Sequence, residues 1–181
     1  MMNVRKGMAH LALALCLAVP GAAALAAAKY HVGIITGTVN QGEDEVRGAE
    51  AMIKEYGDVK NGGMIQHLTY PNNFSAEQET TISQIVSLAN DPLMKAIVMN
   101  QAVPGATEGF RRVREMRPDI LLLGGVPQED PLVIGKVADL IMRNDFISAG
   151  YRVIWAAKQL GAKTFVHISF PRHMSVETLT R

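Results

Sequence analysis

Two rhythms of apolar and polar positions alternate along most of the chain. His31 to Thr36 (HVGIIT) is a short β-branched run closed by Gly37, and from Glu43 to Tyr56 the residues Val46, Ala49, Ile53 and Tyr56 recur on one helical stripe. Strand, loop and helix are predicted in that order. Gly57 and Asn61-Gly62-Gly63 end the helix, Met64 to Thr69 reads as a second strand, and Tyr70-Pro71-Asn72-Asn73 closes it. Ser75 is placed to cap a second helix running to Ala89, with Gln78 completing a capping box and Ile82, Ile85, Val86 and Ala89 as its buried face.

The same unit then recurs. Ala96 to Met99 is a third strand, Ala106 to Met116 a helix presenting Phe110 and Val113, and Ile120 to Leu123 a fourth strand ending at Gly124-Gly125. Val133 to Met142 reads as a further strand. A helix follows from Arg143-Asn144-Asp145 to about Leu160, ended by Gly161, and Thr164 to Ser169 as a last strand. Alternating strands and helices specify a doubly wound parallel sheet, because each parallel pair needs a long crossover of fixed hand. The nearly continuous apolar runs Ile34-Ile35, Ile97-Val98-Met99 and Ile120 to Leu123 suit central strands covered on both faces.

The amino terminus follows neither rhythm. Arg5 and Lys6 precede a run from Gly7 to Ala28 without Asp, Glu, Lys or Arg, whose apolar centre, Leu11 to Val19, stops at Pro20-Gly21. This is the layout of an export signal, and Ala26-Ala27-Ala28 supplies the small residues of a cleavage site before Lys29, with Ala24-Leu25-Ala26 as an alternative cut. The run also approaches the ~20 apolar residues of a membrane anchor, but its Pro, Gly and Ala content favours cleavage. A periplasmic or secreted product is expected. Cys16, the single cysteine, falls inside this segment and follows Leu15 rather than a small residue, so neither a lipid anchor nor thiol chemistry is expected of the exported part.

Loss of residues 1–28 leaves 16 basic against 17 acidic residues, a formal charge of −1, which gives no reason to invoke nucleic acid or an anionic membrane. Catalytic sets are thin. His31, His67, His167 and His173 are not at metal-ligand spacing from one another, Glu43-Asp44-Glu45 is explained by a helix start, and no serine sits in a G-x-S-x-G elbow. Neither a dinucleotide fingerprint nor a phosphate-binding loop motif occurs. No catalysis, metal or cofactor is expected.

In an open parallel sheet ligands bind beyond the carboxyl ends of the strands. The loops there hold Thr36, Thr38 and Gln41 after the first strand, Asn100 and Gln101 after the third, and Gln128 and Glu129 after the fourth, groups suited to a small polar solute. Thr38, Gln41 and Asp44 serve equally well as ordinary caps and turn residues.

The order signal, HVGIITGTVNQGEDEVRGAE, sheet units closing at ILLLGG, then NDFISAGYRVIWAAKQLGAKTFVHIS resembles a type I periplasmic solute-binding protein, whose second lobe opens with a helix patterned here by Gly150, Tyr151, Ala157, Leu160 and Gly161. The TGTVNQGEDE and HISFPRHMS segments are similar to an uncharacterised family of exported bacterial proteins, a domain-of-unknown-function family within that superfamily. The resemblance implies a first lobe over 29–142, a hinge marked by Asn144 and Asp145, and the first helix and strand of an incomplete second lobe over 143–181. It also implies solute uptake or sensing with a membrane transporter or sensor as partner. The alternatives are an exported hydrolase or transferase of flavodoxin-like architecture, and a truncated remnant without function in which Ile154, Trp155, Phe165 and Val166 stay uncovered.

Overall fold

The computed structural model describes residues 28–168. Five parallel strands, β1 (His31–Thr36), β2 (Ile65–Thr69), β3 (Met94–Met99), β4 (Leu121–Gly125) and β5 (Leu140–Met142), form one sheet in the order β2-β1-β3-β4-β5. Helices α1 (Val39–Tyr56), α2 (Gln78–Ala89), α3 (Ala106–Met116), α4 (Pro131–Ile134) and α5 (Phe146–Gln159) alternate with them. The doubly wound α/β architecture expected from the alternation is present. The expected signal segment lies outside the described residues.

The two faces of the sheet are unequally covered. Under α2 and α3 lies the main core, in which Ile35, Met99, Ile97 and Leu122 from the strands meet Ile85, Leu88, Phe110 and Val113 from the helices. On the other face α1 covers only β1 and β2, through Ala49 and Ile53 against Ile34, Ile65 and Val32. Because side chains alternate along a strand, the residues of β3 to β5 that do not enter the main core point to that second face. Leu121, Leu140 and Met142 there are 49, 50 and 44% exposed, with Val98 and Leu123 half-buried beside them.

Two arginines tie the amino ends of β3, β4 and β5 to the helices between them. Arg114 of α3 donates to the carbonyls of Ile120 and Val137 and to Asp139 at 2.6 Å, while Asp139 accepts the Leu122 amide at 2.7 Å. Arg117 donates to the carbonyls of Ala89, Asp91 and Met94 and to Asp119. Both use the planar fork of guanidinium to collect orphan carbonyls at element ends.

Several elements differ from their sequence expectations. The α2 helix begins at Gln78 with Glu77 at its N-cap, not at Ser75, because Ala76 and Glu77 donate their amides to the Asn73 carbonyl in a preceding turn. Ser75 instead offers its carbonyl to the Gln78 side chain. The strand expected over Val133 to Met142 is a short helix and then β5: Asp130 caps the Leu132 amide, Pro131 suits the first helical turn, and only Leu140–Met142 pairs with β4. Tyr56 is 41% exposed rather than part of the buried stripe. The strand expected at the end is absent over 164–168, where no neighbouring strand among the described residues takes its hydrogen bonds, and Ser169 lies outside them. The helix before it forms as expected, and none of its residues is buried.

Candidate functional site

Strand order reverses between β1 and β3, so their carboxyl-end loops diverge to opposite faces and leave a crevice, the place where ligands enter such sheets. A chain of polar side chains crosses that crevice. Glu45 of α1 accepts the Gly37 amide at 3.3 Å on Oε2 and the Gln101 side-chain amide at 2.6 Å on Oε1, and Gln128 donates to Gln101 at 3.3 Å. Loops after β1 and β3 are thereby joined through one carboxylate, and the loop after β4 through Gln101.

The local fold explains why Glu45 arrives there. α1 carries a non-helical residue at Gly42, so the regular helix effectively restarts at Glu43, and Glu45 reaches back over that start to a free amide. On the β2 side, Thr38 donates its hydroxyl to Asn72 at 2.5 Å. Gln41 donates to the Pro71 and Asn72 carbonyls and accepts the Thr38 amide at 3.1 Å. Thr38 and Gln41 thus serve as a helix start that also ties down the loop after β2.

The remaining expected residues divide by role. Thr36 is fully buried, its hydroxyl donating to the Gly37 carbonyl at 2.8 Å and lying 2.8 Å from His67 Nε2. A hydroxyl has one proton, so with it on Gly37 the Nε2–H of His67 donates to Thr36. Burial lowers the His67 pKa below its ordinary 6.5, against a smaller upward effect of Glu50. Thr36 therefore supports the site from beneath. Asn100 is half-buried, and its side chain has no hydrogen bond among the described residues.

Glu129 is taken up by a helix start. It accepts the Gly105 and Thr107 amides at 3.1 and 2.8 Å and so caps α3 from a different loop. Gly105, the N-cap residue, has no side chain to do this, and its φ of 97° is a conformation that glycine tolerates. Asn144 and Asp145 are exposed beyond β5 at the edge of the sheet, where Asp145 caps the Ser148 amide at 3.0 Å. The structure does not bring them to the network.

Sequence reasoning missed Glu45, Asn72, His67 and Val126. Glu45 sits in the acidic triplet read as a plain helix start; its signal was a carboxylate one turn inside that start, where a side chain can return to the preceding loop. Val126 carries a φ of 37°, which a β-branched residue adopts only under constraint, and it lies between Gly125 and Gln128 in the same loop cluster. Nothing in the sequence marks it.

The fold and the crevice define an open, doubly wound α/β lobe with a polar network at its topological switch point. The chain belongs to the family described as Protein of unknown function (DUF3798), whose pattern matches residues 30–181. Two uncharacterized proteins of Treponema pallidum (strain Nichols) are similar. One is 43% identical over 148 residues, 81% of this chain and 67% of the relative, and the other 45% over 91 residues, 50% and 42% respectively. The crystal structure of a candidate transcriptional regulator from Clostridium difficile 630 shares the fold with a TM-score of 0.67 at 23% identity. It matches 83% of this chain, which spans less than half, 44%, of that longer one.

Proposed function

We propose that this chain is a solute-binding lobe of the type I periplasmic class, exported by its amino-terminal segment, that holds a small polar solute at the β1/β3 crevice for uptake or sensing. The observation that carries the reading is the Gly37–Glu45–Gln101–Gln128 network. It sets one carboxylate and two side-chain amides at the strand-order reversal, pre-arranged by hydrogen bonds to one another and to the Gly37 amide. Glu45 and the amides can exchange their mutual hydrogen bonds for those of hydroxyls or amines on a solute, at little cost in unpaired polar groups. The unbonded side chain of Asn100 adds a donor and an acceptor beside them.

The test is thermal denaturation of the purified chain with amino acids, sugars, nucleosides and small organic anions. Saturable stabilisation by one class, about 2.7 kcal/mol at a concentration 100-fold above Kd, is expected. The same ligand should lose its effect on Glu45→Ala and Gln101→Ala. A cooperative melt that no class of solute moves would sink the reading, as would turnover of any solute in the panel.

A further inference from the structure

Backbone amides at the carboxyl end of the sheet are already taken up by the chain's own side chains. Gly37 donates to the Glu45 carboxylate at 3.3 Å and Thr38 to the Gln41 side-chain oxygen at 3.1 Å. The start of α3 is filled in the same way, Gly105 and Thr107 donating to the Glu129 carboxylate at 3.1 and 2.8 Å. Helix starts at this end of a parallel sheet are where the phosphates and carboxylates of ligands ordinarily sit. Two carboxylates of the protein hold those places here, and an anionic solute has to displace a tethered one.

The side-chain amides share this polarity. A carboxylate only accepts, so Gln101 turns its NH2 to Glu45 at 2.6 Å and its carbonyl oxygen to Gln128, which donates at 3.3 Å. Gln41 likewise spends its NH2 on the Pro71 and Asn72 carbonyls. Donors are consumed within the network, and acceptors are left over. Of the roughly four acceptor sites on the half-buried Glu45 carboxylate two are used, one on each oxygen, and the Gln128 carbonyl oxygen has no donor among the described residues. Residues 37–46, 70–77, 100–105 and 126–130, which make the carboxyl-end loops and the start of α1, contain no Lys or Arg. Arg47, just beyond them, is paired with Glu43 at 2.5 Å.

We infer, resting on the solute-binding reading above, that the crevice selects a cationic solute, one whose protonated primary amine docks on Glu45 with the Gln128 carbonyl beside it, and that it rejects carboxylates and phosphates. An ammonium has three donors and no acceptor, the complement of what the network leaves over. Its bond to a half-buried carboxylate is charge-assisted and stronger than that of a neutral hydroxyl in the same place.

Thermal denaturation of the full chain with solutes matched in skeleton and differing in charge tests the inference. The sets are glucosamine, glucose and glucuronate; putrescine, butanediol and succinate; and alanine amide, alanine and N-acetylalanine. The cationic member of a set is expected to stabilise saturably, its neutral counterpart to bind on the order of 10-fold more weakly, and the anion not to bind. Glu45→Gln, which keeps the shape of the side chain, should erase the preference for the cation while leaving the neutral member within a few-fold. Gln128→Lys, at an exposed position, supplies a tethered ammonium that competes for Glu45 and should abolish stabilisation by the amine with far-UV circular dichroism unchanged. Stabilisation by a neutral or anionic solute that is lost in Glu45→Ala overturns the inference and leaves the solute-binding reading standing. Amine binding that Glu45→Gln and Gln128→Lys do not weaken also overturns it. A melt that neither these sets nor the wider panel moves overturns both.

Discussion

Gln101 Nε2 donates to Glu45 Oε1 across 2.6 Å, and this bond holds the loop after β3 against the start of the first long helix. The same carboxylate takes the Gly37 amide at 3.3 Å, so one side chain fixes the width of the crevice at the point where strand order reverses.

A graded response follows from the order of links in that network. Glu45→Ala leaves the Gly37 amide and Gln101 without their acceptor and is expected to cost about 1–3 kcal/mol. Gln101→Ala removes one donor to a carboxylate that keeps another, and costs about 1 kcal/mol. Gln128 is exposed and bonded at 3.3 Å, so Gln128→Ala stays within about 0.5 kcal/mol of the parent. Urea denaturation of the three variants checks the ranking. A Gln128→Ala loss as large as that of Glu45→Ala would show that the links are not ordered this way.

Backbone approach under the crevice gives a second expectation. A Cβ on Gly125 would lie 2.3 Å from the Asn100 carbonyl oxygen, whereas one on Gly48, within α1, meets nothing within 4 Å. Gly125→Ala must force β4 and the loop after β3 apart, at about 1–3 kcal/mol or more. Gly48→Ala removes backbone freedom from the unfolded chain and stabilises by roughly 0.5–1 kcal/mol. Opposite shifts in Tm are therefore expected from the same chemical change.

The cap on α3 is separable from the polar network at the crevice. Glu129→Ala strips the acceptor from the Gly105 and Thr107 amides and should cost about 1 kcal/mol, with faster hydrogen exchange confined to the first turn of α3. Solute binding, once a solute is found, should keep its affinity in this variant within a few-fold. A large loss of affinity with unchanged exchange in α3 would return Glu129 to the binding surface.

How far these features were legible in the sequence depends on the distance over which each is determined. Strand and helix identity came through because Ile97, Leu122, Phe110 and Val113 repeat with the period of their element and meet in one core. The loops at the crevice followed from strand order, and Gln101 and Gln128 are indeed linked there. The capping role of Glu129 was not legible because its partner, the bare start of α3 at Gly105, is a feature of a different loop. The Val133 to Met142 segment was read as continuous strand because apolar content alone does not separate a short helix from a strand; Asp130-Pro131 and Gly135 carry that boundary. Glu45 was hidden by a simpler local explanation.

His67 gives a pH dependence with a definite sign. Burial lowers its pKa in the folded chain below the 6.5 of the unfolded chain, so the unfolded state binds more protons across that window. Stability is then greatest above pH 6.5 and falls as pH drops through 6.5 and on through the lower folded value. His67→Gln should flatten this segment of a plot of Tm against pH between 5 and 8, with the difference between variant and parent reporting His67 alone. Nitrogen chemical shifts of the ring should show the Nε2–H tautomer above the transition, as follows when the Thr36 hydroxyl donates to the Gly37 carbonyl. An Nδ1–H tautomer, or a parent curve that rises toward acid in this window, would contradict the assignment.

Thr81 offers a test of the main core in which the expected sign is unusual. It is fully buried on α2, and its hydroxyl has no hydrogen-bond partner among the described residues. Burying a hydroxyl without a partner is unfavourable, and a methyl group of nearly the same shape avoids that cost. Both residues are β-branched, so helix propensity changes little. Thr81→Val is therefore expected to stabilise the chain by about 1 kcal/mol in urea denaturation, while Thr81→Ala, which also empties volume beside Ile82 and Ile85, gains less or loses stability. Destabilisation by Thr81→Val would mean that the hydroxyl is bonded in solution, to a buried water or to residues beyond those described, and the core would then hold a polar contact where the structure places none.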